Sequence, residues 1–204
     1  MSTTFEVYTP TTNIPTFNEV ILLSNQYLLE FLTKHDIYDE YLIDVVINKN
    51  KTHKRVTFNK SNPATWEISE YAWFTVNKIP GGCDAYVDKI EQIDWERWDD
   101  EFMSNERSKK IESQMRKCLN VGYNWRFRRS AGQPAIINLS YGLMAAAFAK
   151  LVNGYIFSDD SAWDYSMFPT THDVFLQNYF NPCYVNPDDA DWARKNIEWI
   201  RNNE

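Results

Sequence analysis

The catalytic options of this sequence are limited by its three histidines. His35, His53 and His172 are far apart along the chain, and none follows or precedes a serine or cysteine in a recognisable nucleophile motif. The G-x-S-x-G pattern of hydrolases is absent. A triad built from distant residues remains an alternative, because such triads are defined by geometry rather than by sequence order. We therefore predict no catalytic residue, and keep a small hydrolase that would depend on Asp160 or His172 as the alternative.

The acidic motif D-D-x-x-x-D, formed by Asp159, Asp160 and Asp164, is the best candidate for a metal site. Carboxylate oxygens are ligands for magnesium and calcium, but the spacing does not fit an EF-hand, whose sixth position is glycine. In a loop that begins at Asp159, the sixth position is Asp164. Adjacent aspartates are also typical of turns, because their side chains bond their own backbone. The sequence therefore predicts a turn here and no metal ligand.

Glycine and cysteine usage argues against a bound cofactor. Only 6 of the 204 residues are glycine, and no glycine-rich phosphate-binding pattern is present. The three cysteines, Cys83, Cys118 and Cys183, form no C-x-x-C pair. A structural zinc site or a disulfide framework is therefore not expected. We predict no cofactor.

Residues 125–129 alternate aromatic and arginine side chains, with Arg126, Arg128 and Arg129 as the cations. Such interleaving can grip phosphates and stack on bases. The net charge of −7 disfavours nucleic acid as a main partner, and the acids of residues 84–101 are available as intramolecular partners. The alternation also fits a strand with one buried face. A nucleic-acid-binding regulator is thus the third and least favoured function class.

Two acidic segments are the candidate partner-binding regions. Residues 84–101 hold eight acids against two bases, and residues 159–166 combine three aspartates with Trp163 and Tyr165. An aromatic anchor ringed by carboxylates suits a basic protein partner, although a core position for Trp163 is the competing interpretation. The predicted contact residues are Asp159, Asp160, Trp163 and Asp164 first, then Glu96, Asp99, Asp100 and Glu101.

No feature of the sequence points to a membrane. The longest uninterrupted apolar stretch, residues 142–148, is far shorter than the ~20 residues of a spanning helix. The N-terminal residues lack the basic and apolar regions of a signal peptide. We predict a cytoplasmic protein with no membrane partner.

The periodicity of apolar residues predicts an α+β fold, a mainly helical single domain over residues 1–204 with a small β-sheet or hairpin. Thr16 and Glu19 fit a capping box, and Asn153 with Gly154 fits a left-handed helix end. The predicted helices cover residues 16–33, 95–119, 136–152, 170–180 and 188–201. The predicted strands cover residues 42–47 and 55–59, as a hairpin, with 71–79 and a short strand at 155–158.

Two stretches carry a family resemblance: YNWRFRRSAGQPAIINLSYG at residues 123–142 and NGYIFSDDSAWDY at residues 153–165. These two stretches resemble sequences of immunity proteins of bacterial polymorphic toxin systems, including those paired with Rhs-type and other type VI secretion effectors. The resemblance implies a protein that binds and neutralises a cognate secreted toxin domain by stoichiometric occlusion of its active site, and the acidic charge of this chain predicts that the domain is basic. It implies no catalytic signature, so no site residue is inherited from it. The hydrolase alternative would reverse a toxin's modification.

Overall fold

The architecture is built on a seven-stranded antiparallel sheet, seen in a computed structural model that describes residues 2–202. The strand order is β3-β2-β4-β5-β6-β1-β7. The strands are β1 (Thr3–Tyr8), β2 (Ile43–Lys49), β3 (Arg55–Val56), β4 (Glu70–Val76), β5 (Cys83–Lys89), β6 (Tyr123–Arg129) and β7 (Tyr155–Phe157).

Within residues 2–202, seven α-helices accompany the sheet: α1 (Phe17–Lys34), α2 (Gln92–Ser104), α3 (Glu106–Lys110), α4 (Glu112–Val121), α5 (Ala135–Val152), α6 (His172–Asn178) and α7 (Pro187–Arg201). Helix α5 packs on the face that we call the inner face and contacts α1, α6 and α7 there. Successive strand residues point to opposite faces. Phe5 therefore meets Tyr141 of α5 on the inner face, while Tyr8 meets Trp98 of α2 on the outer face.

The expectation of a mainly helical chain with a small sheet or hairpin is wrong, although the class α+β remains. The sheet has seven strands, because β1, β5 and β6 join the four strands that the sequence predicted, and β6 had been considered only as an alternative for the arginine cluster. Strands β1 and β5 were not predicted, although each alternates apolar inner residues with polar outer ones, which is the pattern of a strand with one buried face. Glu6 of β1 lies opposite Arg126, and Asp84 of β5 lies opposite Arg128. The polar residues are matched across strands, and this pairing cannot be read from either strand alone.

The single helix expected over residues 95–119 is also wrong, because the chain forms three helices there. Asn105 has an extended backbone (φ −122°, ψ 111°), which ends α2. Its side-chain oxygen then accepts the N–H of Arg107 at 2.9 Å and so caps the start of α3. A short polar side chain that competes with helical hydrogen bonds explains the break.

Local signals at helix ends were predicted correctly. The Thr16 side chain accepts the N–H of Glu19 at 3.2 Å, and the Glu19 carboxylate accepts the N–H of Thr16 at 2.7 Å, which together form the capping box of α1. At the C-terminal end of α5, Asn153 adopts the left-handed conformation (φ 51°) and terminates the helix. Both features depend on residues close in sequence, which is why the sequence alone reveals them.

Helix α5 forms the centre of the hydrophobic core. Its 18 residues have the length and mean hydropathy (1.6) that a membrane span would need, but 89% of them are buried inside the fold. Tyr141 stacks on Phe5 at a centroid distance of 4.8 Å, and Phe148 contacts Trp125 at 4.3 Å. The apolar character of α5 is thus satisfied by protein contacts, as in the core helix of a soluble-type fold.

Gly142 lets α6 and the segment after it approach α5 closely. A Cβ atom at this position would lie 2.3 Å from the ring of Tyr179. The Tyr179 hydroxyl donates to the carbonyl of Asn138 at 2.5 Å, so the ring has little freedom to move aside. The absence of a side chain at Gly142 is therefore a packing requirement.

We predict that Gly142→Ala destabilises the protein by about 1–3 kcal/mol through overpacking against Tyr179. Helix propensity alone predicts the opposite sign, a gain of about 1 kcal/mol. Urea denaturation followed by circular dichroism measures the difference. A variant more stable than the parent would contradict the close approach of Tyr179 to α5.

Candidate functional site

The two acidic segments that the sequence singled out are neighbours in the structure. The Tyr165 hydroxyl donates to the Glu101 carboxylate at 2.8 Å. Arg97 lies 3.7 Å from Asp159, which makes a second connection between the segments. Exposed side chains from both segments form what we call the acidic surface: Glu96, Asp99, Asp100, Asp159 and Tyr165.

Helix α2 positions its half of the acidic surface by burying its other face. Trp98 contacts Tyr8 at 5.3 Å and Phe157 at 4.8 Å between ring centroids, and Phe102 packs beside it. Residues three and four apart share a helix face. The buried spacing of Trp98 and Phe102 therefore directs Glu96, Asp99 and Asp100 to solvent.

Arg97 joins α2 to the sheet beneath the acidic surface. Its guanidinium donates to the Glu6 carboxylate at 2.8 Å and to the Tyr8 hydroxyl, and that hydroxyl donates to Glu6 at 2.6 Å. Burial lowers the pKa of Arg97, but its contacts with Tyr8 and Glu6 outweigh burial and raise it overall. Burial, followed by the charge of Glu6, raises the pKa of Tyr8 well above 10. Tyr8 therefore stays protonated and Arg97 stays charged.

Trp163 is a core residue and does not lie on the acidic surface. Only 2% of it is exposed. Its ring contacts Tyr179 at 5.0 Å, Phe180 at 5.8 Å and Trp192 at 6.0 Å. The partner-anchor role predicted for Trp163 is thus wrong in this structure, because aromatic residues from later in the chain enclose it. The exposed aromatic of the segment is Tyr165, at 45%.

Asp160 and Asp164 stabilise a turn through hydrogen bonds, which is the role that the sequence predicted for this motif. Asp160 accepts the N–H of Thr4 at 3.0 Å and the hydroxyl of Ser158 at 3.2 Å. Asp164 accepts the N–H of Ser166 at 3.0 Å. Partial burial raises the pKa of Asp164, but hydrogen bonds from Ser166 and Asn186 lower it by a larger amount. The pKa therefore lies below its usual value. Across residues 2–202, no group of three or more histidine, cysteine or acidic side chains could hold a metal ion.

The remaining predicted residues differ in how far they are already paired. Asp99 forms an ion pair with Arg116 at 2.8 Å, and Glu101 accepts from Ser108 at 2.8 Å and from Asn105 at 2.7 Å. Glu96 and Asp100 form no ion pair with any described residue. These two acids carry the least compensated charge on α2.

His172 does not form a catalytic pair in the described part of the chain. Its Nε2 lies 2.9 Å from the Asp173 carboxylate, and no hydrogen bond joins it to a serine, threonine or cysteine within residues 2–202. Burial lowers its pKa below 6.5, and the nearby Asp173 only partly opposes this effect. The neutral imidazole is therefore favoured in the folded protein.

On the outer sheet face, β4 and β5 add tyrosines to the arginine cluster of β6, and the sequence did not predict that these side chains form one surface. Tyr71 stacks on Tyr86 at 6.0 Å, and Arg126 lies over the Tyr86 ring at 5.2 Å. Arg126 pairs with Asp88 at 2.9 Å and Arg128 with Asp84 at 2.6 Å, which confirms that acids of residues 84–101 pair with this arginine cluster. The D-A-Y-V-D alternation of β5 is the signal that could have revealed this face.

Sequence and structure comparisons add no family to this description. The chain matches no protein-family model, no curated protein and no solved structure. No relative therefore indicates the function of this chain, and the proposal below rests on the geometry and charge of its surfaces.

We predict that the neighbouring aspartates Asp159 and Asp160 differ in their effect on stability. Asp160→Ala leaves the Thr4 amide without its acceptor and costs about 1–3 kcal/mol of unfolding free energy. Asp159→Ala removes a carboxylate that is 55% exposed, and its effect stays within about 0.5 kcal/mol. Chemical denaturation of both variants measures this. Equal losses would show that the two side chains have the same role.

We further predict that His172 makes folding sensitive to acid. Its folded-state pKa lies below the unfolded value, so the unfolded chain takes up more protons as the pH falls through 6.5 and stability decreases. His172→Gln has no such proton to bind and should lose less stability between pH 7.5 and pH 5.5 than the parent does. Urea titrations at both pH values test this. An identical loss in both proteins would rule out His172 as a contributor.

Proposed function

We propose that this chain is a cytoplasmic immunity protein that binds the basic catalytic domain of a cognate bacterial toxin and occludes its active site. The resemblance of residues 123–142 and 153–165 to such proteins motivates the class. One observation carries the proposal. The Tyr165–Glu101 hydrogen bond, between residues 64 positions apart in sequence, joins the two acidic segments into one surface.

The charge on the acidic surface favours a basic protein as its partner. Glu96 and Asp100 have no cationic neighbour in ion-pair range among the described residues. Unpaired surface carboxylates gain from meeting lysine or arginine across an interface, and they accelerate encounter by steering. A toxin domain that binds nucleic acid or nucleotides would present such cations in its cleft.

The acidic surface also offers apolar contact area. Met103 of α2 is exposed, and Tyr165 supplies an aromatic ring whose hydroxyl is held by Glu101. Interfaces obtain most of their binding energy from a few such apolar and aromatic side chains, while surrounding charges set orientation. The fixed position of Tyr165 lowers the entropy lost on docking.

We predict that the double variant Glu96→Lys/Asp100→Lys weakens binding and protection. The probe is the variable C-terminal domain of a large secreted protein encoded in the adjacent upstream reading frame, measured by surface plasmon resonance and by growth with that domain expressed; a neighbouring frame without such a protein would itself contradict the proposal. Charge reversal should slow association by about tenfold or more at low salt, with a smaller effect at high salt.

The matched control is Glu67→Lys/Glu198→Lys, which changes the net charge equally at exposed positions outside the acidic surface. This control should bind and protect as the parent does. Equal weakening by both pairs would indicate a general charge effect and remove the assigned interface. Protection at amounts well below one immunity protein per toxin would favour the hydrolase alternative over occlusion.

A further inference from the structure

An apolar groove of about 680 Å³ runs between α1 and the segment that leads into β2. Leu22 and Leu29 line one wall, one above the other along the helix, and Tyr38 and Leu42 line the other. All four side chains are more than half exposed. Large apolar side chains gathered at one exposed site indicate a binding surface more strongly than scattered ones do.

The groove is preformed, because hydrogen bonds hold both walls. The Asn25 side chain of α1 accepts the N–H of Ile43 at 2.7 Å and donates to the carbonyl of the same residue at 3.0 Å. On the far side, Asn77 accepts the N–H of Leu42 at 2.7 Å and donates to the carbonyl of Glu40 at 3.1 Å. An occupant therefore meets a fixed site and does not have to order it.

The rim of the groove is acidic. Residues 17–44 contain six acids and a single Lys or Arg, Lys34. Asp39 and Glu40 are the charged residues that line the groove, and neither forms an ion pair with a described residue. Lys34 lines a separate small cavity beside Phe31 and Phe180. Arg201 of α7 donates to the carbonyl of His35 at 3.1 Å but does not line the groove, so the charged side chains that line it are both negative.

We propose that this groove receives an amphipathic helix of another protein, with leucine-like side chains between α1 and Leu42 and lysine or arginine beside Asp39 and Glu40. Charge complementarity decides the occupant. A second copy of this chain would bring the same acidic rim against itself, which opposes self-association. An amphipathic helix in a groove is a recurrent mode of recognition, with anchors at helical spacing.

This docking site is separate from the acidic surface and does not depend on the proposed immunity function. Helix α1 lies on the inner face of the sheet, whereas α2 lies on the outer face. A partner at the groove therefore uses different residues from a toxin at the acidic surface.

The test uses two fluorescent, stapled helical peptides of about 15 residues with the same leucine stripe, one flanked by lysines and the other by glutamates. Fluorescence anisotropy with the full chain should show saturable binding of the lysine peptide. The glutamate peptide should bind about tenfold more weakly or worse, and Leu22→Ser/Leu29→Ser should weaken the lysine peptide by a similar factor.

Two control variants separate the groove from other surfaces. Ile68→Ser/Ile93→Ser removes two equally exposed apolar side chains elsewhere, and Glu96→Lys/Asp100→Lys reverses charge on the acidic surface. Both should bind the lysine peptide like the parent. The proposal is overturned if no saturable binding occurs, or if Leu22→Ser/Leu29→Ser binds as well as the parent. It is also overturned if sedimentation velocity shows a parental dimer that this variant converts to monomer.

Discussion

The guanidinium of Arg97 is the contact on which the outer helical layer depends. It connects α2 to β1 through Glu6 and Tyr8, and reaches the chain after β7 through Asp159. Breaking a partly buried ion pair leaves the remaining charge without compensation and costs more than the pair contributes when intact. The position of α2, and with it half of the acidic surface, therefore depends on this partly buried cation as well as on the buried Trp98 and Phe102.

This arrangement separates two kinds of charge in an acidic protein. Carboxylates near the sheet are matched: Glu6 with Arg97, Asp84 with Arg128, and Asp88 with Arg126. Carboxylates farther out on α2, such as Glu96 and Asp100, have no cationic partner among the described residues. Folding requires compensation only where solvent is excluded. The net negative charge of the chain is consequently concentrated on exposed surface, where it acts on other molecules.

The parts of the fold that were predictable are those encoded locally. The capping box of Thr16 and Glu19, the left-handed Asn153 and the apolar helix α5 depend on neighbours in sequence. Strands β1 and β5 carry the alternation of a half-buried strand, but their place in the sheet depends on cross-strand pairs such as Glu6 with Arg126, which join residues far apart in sequence. The break at Asn105 was missed, although the apolar spacing is interrupted there and residues 104–110 are all polar.

The candidate site shows the same division. Acidic composition identified the segments, but their contact at Tyr165 and Glu101 is a product of the tertiary fold, as is the burial of Trp163 under Tyr179 and Phe180. The groove on α1 was not predicted, although helical spacing places Leu22 and Leu29 on the face opposite the buried Val20. The second wall of the groove, at Tyr38 and Leu42, comes from the tertiary fold and has no signal in the sequence.

The two surfaces place a geometric limit on any partner. The groove lies beside β2 and the acidic surface beside β1, on opposite faces of the sheet. Four strand spacings separate these strands, roughly 19 Å across the sheet before its thickness is added. A compact domain docked on α2 cannot also fill the groove unless a segment of it passes around the sheet edge. Occupation of the two surfaces is therefore expected to be independent, because they share no residues and lie on opposite faces of the sheet.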